Sequence, residues 1–265
     1  ARLDDLMISY APPGGTVGPH FDSYDVFLLQ VGGSKRWQIS SQQDEAFVED
    51  APIKVLKDFR MEEVFVLEHG DMLYLLPRYA HYGVALEPGM TYSIGFRAPS
   101  AQELATEFLV YLQDRICIDG RYADPDLRPP QEPAKLDDSM VDQVGRILSQ
   151  ISWDRHTVTD FLGHYLTEPK PHVFYEAPDE ELDEDEFVAA VTTVGVVLDL
   201  KTLILYANDM LYCNGEALSV AGGDVAAWQQ LANRRRLSSS QLSPTMMPLL
   251  LEGYLAGWWQ PAGLE

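Results

Sequence analysis

Short runs of apolar and β-branched residues, separated by Gly and Pro, fill the first hundred positions of the chain. The strands that this pattern predicts cover residues 6–10, 25–31, 35–40, 63–67, 72–76, 82–86 and 91–97. Turn sequences such as Gly32-Gly33 and Pro88-Gly89 lie between them. Many short strands at regular spacing are typical of a β-sandwich or barrel, so residues 1–100 are predicted to form such a domain.

The pattern becomes helical after Pro99. The stretches with apolar residues at helical spacing are 101–116, 136–149 and 154–166. The sequence 124–130 is predicted to be a loop, because its prolines cannot continue a helix. Residues 101–168 are therefore predicted to form a helical bundle, whose apolar faces pack within the chain or make a homodimer interface.

A second boundary is predicted at residues 169–186, where three prolines precede seven acids between Asp179 and Glu186. Such a charge run is typical of a solvated linker or the start of a helix. The elements predicted beyond it are strands over 196–205 and 210–220, the second containing an Asn214-Gly215 turn, and helices over 224–234 and 244–257. A β-ribbon with helices indicates a winged-helix-like module. The predicted domains are a barrel 1–100, a helical dimerisation region 101–168, an acidic linker 169–186 and a winged-helix-like domain 187–265.

Composition narrows the class of protein. Hydrophobic residues make up 46% and charged residues 23% of the 265 positions, as in ordinary globular proteins. No apolar run reaches the roughly 20 residues of a membrane span, and no secretory leader opens the chain, so a soluble cytoplasmic protein is expected.

The chain begins at Ala1 rather than Met, and we expect an N-terminal truncation of the barrel. Cys117 and Cys213 fit neither a disulfide framework nor a zinc site.

The net charge of −22 argues against a nucleic-acid-binding protein, since phosphate binding needs clustered Lys and Arg. Residues 234–236 are the basic cluster of the C-terminal module, and no direct DNA binding is expected from it. An acidic surface is better matched to a basic partner. Solubility alone also accounts for such a charge.

A candidate metal site begins with His20-Phe21-Asp22. In an extended chain, residues i and i+2 point to the same side, so one imidazole and one carboxylate can reach one ion. His81 is the preferred third ligand, because an apolar strand ending at Pro77 leads up to it. His69 is the rival, and a structural role in hydrogen bonding is the alternative for any single histidine.

Two histidines and one carboxylate on one face are typical of non-haem iron(II) oxygenases, which leave positions open for a 2-oxo acid and dioxygen. 2-Oxoglutarate also needs a cation for its far carboxylate. Lys35 and Arg36 are adjacent on a predicted strand, so only one of them can face inward. Solvated charges beside a hairpin are the alternative interpretation of this pair.

The sequence resembles the JmjC-type cupin oxygenases, and more narrowly the bacterial ribosomal oxygenases that hydroxylate an arginine of a large-subunit ribosomal protein. The stretches that carry the resemblance are 13–27 (PGGTVGPHFDSYDVF), 35–37 (KRW), 4–9 (DDLMIS), 92–99 (YSIGFRAP) and 122–126 (YADPD). The fold that it implies is mixed, with a double-stranded β-helix barrel followed by a helical bundle and a winged-helix-like module. It also implies iron(II), 2-oxoglutarate as co-substrate, dioxygen, a basic ribosomal protein as substrate and a homodimer formed through the helical region.

The resemblance places the iron ligands, which are also the catalytic residues, at His20, Asp22 and His81. It assigns 2-oxoglutarate binding to Lys35 rather than Arg36; a bacterial member carries Arg there, so this chain keeps the charge and loses the bidentate fork. The other candidates are Thr91 and Ser93 for the co-substrate, and Tyr24, Asp25 and the Pro12-Pro13 loop for the substrate.

Other functions are compatible with the same residues. The same machinery serves histidyl hydroxylation or lysine demethylation. A metal cupin that is not an oxygenase, such as an isomerase, would leave Lys35 idle. A non-catalytic metal-binding scaffold would act through the helical dimer and the C-terminal module.

Overall fold

The computed structural model describes residues 3–44, 46–49, 51, 53–123, 132 and 134–263. The predicted loop 124–130 lies outside them, as do residues 124–126 of the YADPD motif. The chain divides into two compact units, Ala1–Leu104 and Ala105–Glu265.

The first unit is built from eight strands among its described residues. They are β1 Asp5–Ala11, β2 His20–Phe21, β3 Asp25–Val31, β4 Lys35–Ser40, β5 Glu63–Leu67, β6 Met72–Leu75, β7 Ala80–Ala85 and β8 Gly89–Phe96. They form two antiparallel sheets with the orders β1-β8-β3-β6 and β2-β7-β4-β5. The chain repeatedly crosses from one sheet to the other, which gives the predicted double-stranded β-helix.

The interior between the sheets follows from the alternation of side chains along each strand. On β3, Val26 and Leu28 are buried and pack with Trp37 of β4 in one apolar cluster. Phe27, between them, lies on the outer face and stacks on Tyr74 with ring centroids 4.8 Å apart. The interior therefore lies on the side to which the even-numbered residues of β3 point.

The second unit combines helices with two small sheets. Its elements are α1 Ala101–Gln113, which begins in the first unit, α2 Asp138–Leu148, α3 Arg155–Thr167, α4 Glu184–Val194, β9 Val196–Leu198, β10 Ile204–Ala207, β11 Met210–Cys213, β12 Glu216–Leu218, α5 Val225–Arg234, β13 Arg236–Leu237, α6 Met247–Leu255 and β14 Trp259–Pro261. The sheets have the orders β10-β11-β12 and β13-β9-β14. Trp228, Trp259 and Phe187 are the largest fully buried side chains of its core.

Helix α3 contacts both helix α1 and the first small sheet. Phe161 of α3 packs against Phe108 of α1, with ring centroids 5.2 Å apart. On another side, a Cβ added at Gly163 would lie 2.4 Å from ring atoms of Tyr212 on β11. The close approach explains why glycine occupies this position of the helix.

Three details differ from the sequence prediction. The single strand expected over 196–205 is two strands, because a turn at Asp199 closes with the Thr202 N–H donating to the Asp199 carbonyl. Helix α4 begins inside the segment expected to be a linker, since Asp183 and Glu186 form a capping box at its start. The strands β2, β13 and β14 have two or three residues each, too few for a periodic pattern. The predicted Asn214-Gly215 turn is confirmed, with both residues at positive φ.

Within the described residues, no helix combines the length and the apolar character that crossing a membrane requires.

Candidate metal centre

The short strand β2 brings the first predicted ligand opposite the third. His20 is the direct register partner of His81 on β7, and their ring centroids are 4.2 Å apart. Asp22 follows β2, with its Oδ2 3.5 Å from His81 Nε2. One ligand atom from each of the three residues lies within 4.8 Å of the others. The structure thus gathers two imidazoles and one carboxylate around one point.

A turn before β7 fixes this arrangement. Arg78 has a left-handed backbone (φ 64), and its N–H donates to the Asp22 carbonyl over 2.8 Å. The bond joins the segment that precedes His81 to the segment that follows His20, although these are distant in sequence.

Hydrogen bonds to the backbone orient both imidazoles. Nδ1 of His20 lies 3.0 Å from the Gly18 carbonyl, and Nδ1 of His81 lies 3.0 Å from the Tyr79 carbonyl. A carbonyl only accepts, so each Nδ1 carries the proton and each Nε2 keeps its lone pair. Burial, reinforced by the neighbouring His20, lowers the pKa of His81 and favours the neutral ring that binds metal.

The rival ligand His69 has another role in this structure. Its Nδ1 accepts the Gly32 N–H over 3.0 Å, and its side chain is exposed. It does not belong to the group formed by His20, Asp22 and His81.

Of the two adjacent cations, Lys35 is half-buried and Arg36 is exposed. The Lys35 ammonium donates to Thr91 Oγ1 over 3.1 Å and lies 4.5 Å from the centre of the Trp37 ring. Burial lowers the pKa of Lys35. A partly desolvated cation inside the barrel is the kind of partner that a carboxylate needs.

The predicted co-substrate residues of β8 lie on one face of that strand. Thr91 is buried, and Ser93, two positions on, is half-buried. This face belongs to the interior, because Thr91 contacts Lys35.

The two predicted substrate residues, Tyr24 and Asp25, lie in different environments. Tyr24 packs against the interior cluster, and its pKa is raised by burial and then by Asp22. Asp25 points to the outer face of the sheet, where it accepts the Tyr74 hydroxyl over 2.6 Å. The structure therefore brings Tyr24 towards the ligand group and leaves Asp25 on the opposite face, because neighbouring positions on a strand point to opposite sides.

Sequence reasoning missed three residues of the interior: Gln30, Trp37 and Gly83. Gln30 is 2% exposed and Trp37 is 5% exposed. A Cβ at Gly83 would lie 2.8 Å from Lys35 Cε and 2.7 Å from a Trp37 ring carbon, so glycine makes room for both side chains. The alternation along β3, β4 and β7 was the signal that could have identified them.

The residues present fit an iron ion and a dicarboxylate. Two neutral imidazoles and one carboxylate are the donor set of the non-haem iron(II) facial triad, which leaves coordination positions open. The Trp37 indole N–H is buried and has no hydrogen-bond partner among the described residues. A buried donor of this kind is expected to find an acceptor, and a bound carboxylate near Lys35 would supply one.

Comparison with known proteins agrees with this geometry. Residues 1–104 match the JmjC domain family, and residues 150–260 match the ROXA-like winged helix. The ribosomal protein uL16 3-hydroxylase of Escherichia coli K12 is 30% identical over an alignment of 267 residues, gaps included. The alignment covers 97% of this chain and 70% of that protein. This chain belongs to the JmjC ribosomal oxygenases.

One further relative and a solved structure support membership in the JmjC ribosomal oxygenases. A probable ribosomal oxygenase of Haemophilus influenzae is 33% identical over 242 residues, spanning 82% of this chain and 57% of that protein. The structure of YcfD, the E. coli ribosomal oxygenase in complex with cobalt and 2-oxoglutarate, superposes with a TM-score of 0.78 at 29% identity, covering 99% of this chain and 71% of YcfD. The fold predicted from the resemblance, a JmjC barrel followed by helices and a winged helix, is confirmed.

Proposed function

We propose that this chain is an iron(II)- and 2-oxoglutarate-dependent dioxygenase that hydroxylates an arginine of a large-subunit ribosomal protein. The observation that carries the proposal is the group of His20, Asp22 and His81, with their candidate ligand atoms within 4.8 Å of one another. A half-buried lysine faces the same interior, as a co-substrate with a second carboxylate requires.

His20, Asp22 and His81 would hold the iron, and Lys35 with Thr91 would bind the far carboxylate of 2-oxoglutarate. When bound, iron and 2-oxoglutarate supply the oxidation that places one atom of dioxygen on a substrate carbon and releases succinate and carbon dioxide. The chain's own contribution is position and the exclusion of water. The backbone carbonyls of Gly18 and Tyr79 hold the two rings ready, and Ser93 is the further candidate for co-substrate binding.

The substrate class follows from charge and from the relatives. A net charge of −22 favours encounter with a basic protein. The E. coli relative is named for hydroxylation of ribosomal protein uL16, and a ribosomal-protein substrate implies action in the cytoplasm. Tyr24, half-buried beside Asp22, is the proposed substrate contact.

The test is incubation of the protein with iron(II), 2-oxoglutarate and purified ribosomal proteins, followed by mass spectrometry. We expect the gain of one oxygen on an arginine, together with production of succinate. Asp22→Ala should abolish both, since it removes an iron ligand, whereas His69→Ala should retain both. Oxygen on histidine, or loss of a methyl group from lysine, would replace the arginine assignment. Binding of metal with no consumption of 2-oxoglutarate would favour an isomerase or a scaffold.

We further propose that the chain is a homodimer and that residues 101–168 are its dimerisation region. The support is helix α2, none of whose described side chains is buried although it carries a stripe of apolar residues. Met140, Val141, Val144 and Leu148 are 37–57% exposed. An apolar stripe of this kind is typical of a helix that packs against a partner.

A further inference from the structure

Gln30 is a buried amide near the end of the β3–β8 pairing, where it is the register partner of Thr91. It is 2% exposed and lies on the interior face of β3, in line with Val26 and Leu28. An amide is costly to bury unless its polar atoms are hydrogen-bonded. Its partners therefore show what its side chain does.

The amide of Gln30 links a backbone carbonyl to the candidate co-substrate residues. Its Nε2 donates to the Gly32 carbonyl over 3.0 Å, and its Oε1 accepts the Thr91 hydroxyl over 3.2 Å. Thr91 Oγ1 in turn accepts from the Lys35 ammonium over 3.1 Å. These bonds form one chain from Gly32 through Gln30 and Thr91 to Lys35.

The direction of every bond in this chain is fixed. The Gly32 carbonyl can only accept, so Nε2 faces Gly32 and Oε1 faces Thr91. Thr91 has one hydroxyl proton, which goes to Oε1, so its lone pair is turned to Lys35. An ammonium has three N–H donors, so Lys35 keeps two for another acceptor.

The position of the amide is fixed as well. A Cβ added at Gly89 would lie 3.1 Å from Gln30 Nε2 and 2.1 Å from the Gly32 carbonyl oxygen, so the β8 backbone closes over the amide. The Gln30 N–H also donates to the Asp71 carbonyl, and the Gly70 N–H donates to the Gln30 carbonyl. The hydrogen-bond chain thus starts from an anchored group and ends on a long, flexible side chain.

We infer that Gln30 is a positioning residue for 2-oxoglutarate, which acts through Thr91 to hold the Lys35 ammonium where the far carboxylate binds. The inference rests on the proposed function. Without the amide, the Thr91 hydroxyl can rotate and Lys35 loses a fixed acceptor, so part of the ordering of Lys35 must be supplied by the ligand at binding.

The experiment measures the binding of 2-oxoglutarate to zinc-loaded protein by calorimetry, since zinc holds the site without turnover. Gln30→Met keeps the length of the side chain and removes both polar atoms. We expect the Kd of 2-oxoglutarate to rise about tenfold, which corresponds to about 1.4 kcal/mol. In the iron enzyme, the KM for 2-oxoglutarate should rise while kcat at saturating co-substrate is unchanged.

A double-mutant cycle separates positioning from general loosening of the barrel. Thr91→Val should weaken binding, and adding Gln30→Met to Thr91→Val should weaken it no further, because the path to Lys35 is already broken. Full additivity of the two effects would overturn the inference. Gln38→Met is the matched control: Gln38 is on β4 in the other sheet, its amide bonds to Met61, and its substitution should leave the Kd unchanged.

The outcomes distinguish the inference from the proposed function. If wild-type protein does not bind 2-oxoglutarate, the proposed function fails. If it binds and Gln30→Met binds equally well, the inference alone fails. Should Gln30→Met not fold, Gln30→Asn serves in its place, because its shorter amide cannot reach Gly32 and Thr91 together; it should show the same loss of affinity.

Discussion

At the scale of single residues, the candidate site combines a metal-binding group of two imidazoles and one carboxylate with one partly buried cation. Hydrogen bonds to backbone carbonyls place the proton of each neutral imidazole on Nδ1, so the lone pair of each ring is on Nε2. Lys35 pays for its position, since burial disfavours its charged form and lowers its pKa. A carboxylate that binds beside Lys35 stabilises the charged form of its side chain. Because the carboxylate needs that charge, its binding depends on pH through the protonation of Lys35.

The pH dependence of 2-oxoglutarate binding should reveal this lysine. Only the protonated ammonium attracts a carboxylate, so affinity is constant below the pKa of Lys35 and falls as pH rises through it. Because that pKa is lowered, the fall should begin at a lower pH than for an exposed lysine. Lys35→Arg stays charged throughout, since arginine is not deprotonated in proteins. Calorimetric titrations of zinc-loaded protein from neutral to alkaline pH measure both, and parallel profiles would contradict the argument.

Which residues the sequence could identify depended on the range of their contacts. His20 and Asp22 are two positions apart, and the alternation of a strand is enough to pair them. Gln30 acts on Thr91, 61 positions away, and no local pattern predicts that contact. Tyr24 and Asp25 are both candidate substrate residues in the sequence, whereas the structure places Asp25 on the outer face of the sheet.

At the scale of elements, the strands of the barrel were predictable because each has one apolar face and glycine or proline at its ends. β2 was not, because it has two residues and is a strand only through its pairing with β7. The first turn of helix α4 fell inside the predicted linker 169–186 because acids fill that turn. Acidic side chains in the first turn interact favourably with the positive end of the helix dipole. This charge run is therefore also typical of the start of a helix.

Two helical glycines differ in the space around them: one is packed against an aromatic ring and the other is not. A Cβ at Gly253 of α6 would lie 2.0 Å from a Trp259 ring carbon, whereas a Cβ at Gly145 of α2 would meet nothing within 4 Å. Gly253→Ala should therefore lower the free energy of unfolding of the second unit by about 1–3 kcal/mol through overpacking. Gly145→Ala should raise it by about 0.5–1 kcal/mol, since alanine is the better helix former. Urea unfolding followed by tryptophan fluorescence measures both changes, and equal effects would refute the packing argument.

At the scale of the whole molecule, the candidate metal centre and the winged helix belong to different units, each with its own hydrophobic core. The first holds the candidate metal centre, and the second holds the winged helix and the exposed helix α2. The order of the parts was predictable from the resemblance, which implies a barrel, a helical region and a winged-helix-like module in that order, although its motifs lie within residues 4–126. The partner of α2 was not, since an apolar stripe at helical spacing does not state what covers it.

If α2 is the dimer contact, its apolar stripe should tolerate no charge. Val144 lies in the stripe, one turn after Met140 and one turn before Leu148, and Val144→Glu would bury an unpaired carboxylate in the interface. The dimer dissociation constant should rise at least about 30-fold, which corresponds to about 2 kcal/mol of dimerisation free energy, as for other unpaired interfacial charges. Arg146→Glu adds the same side chain on the polar face of α2 and should leave the dimer intact. Sedimentation over a dilution series measures both variants.

Monomeric wild-type protein, or equal weakening of the dimer by the two substitutions, would show that α2 is not the dimer contact. Binding of 2-oxoglutarate by the Val144→Glu monomer would show that the metal centre is still folded.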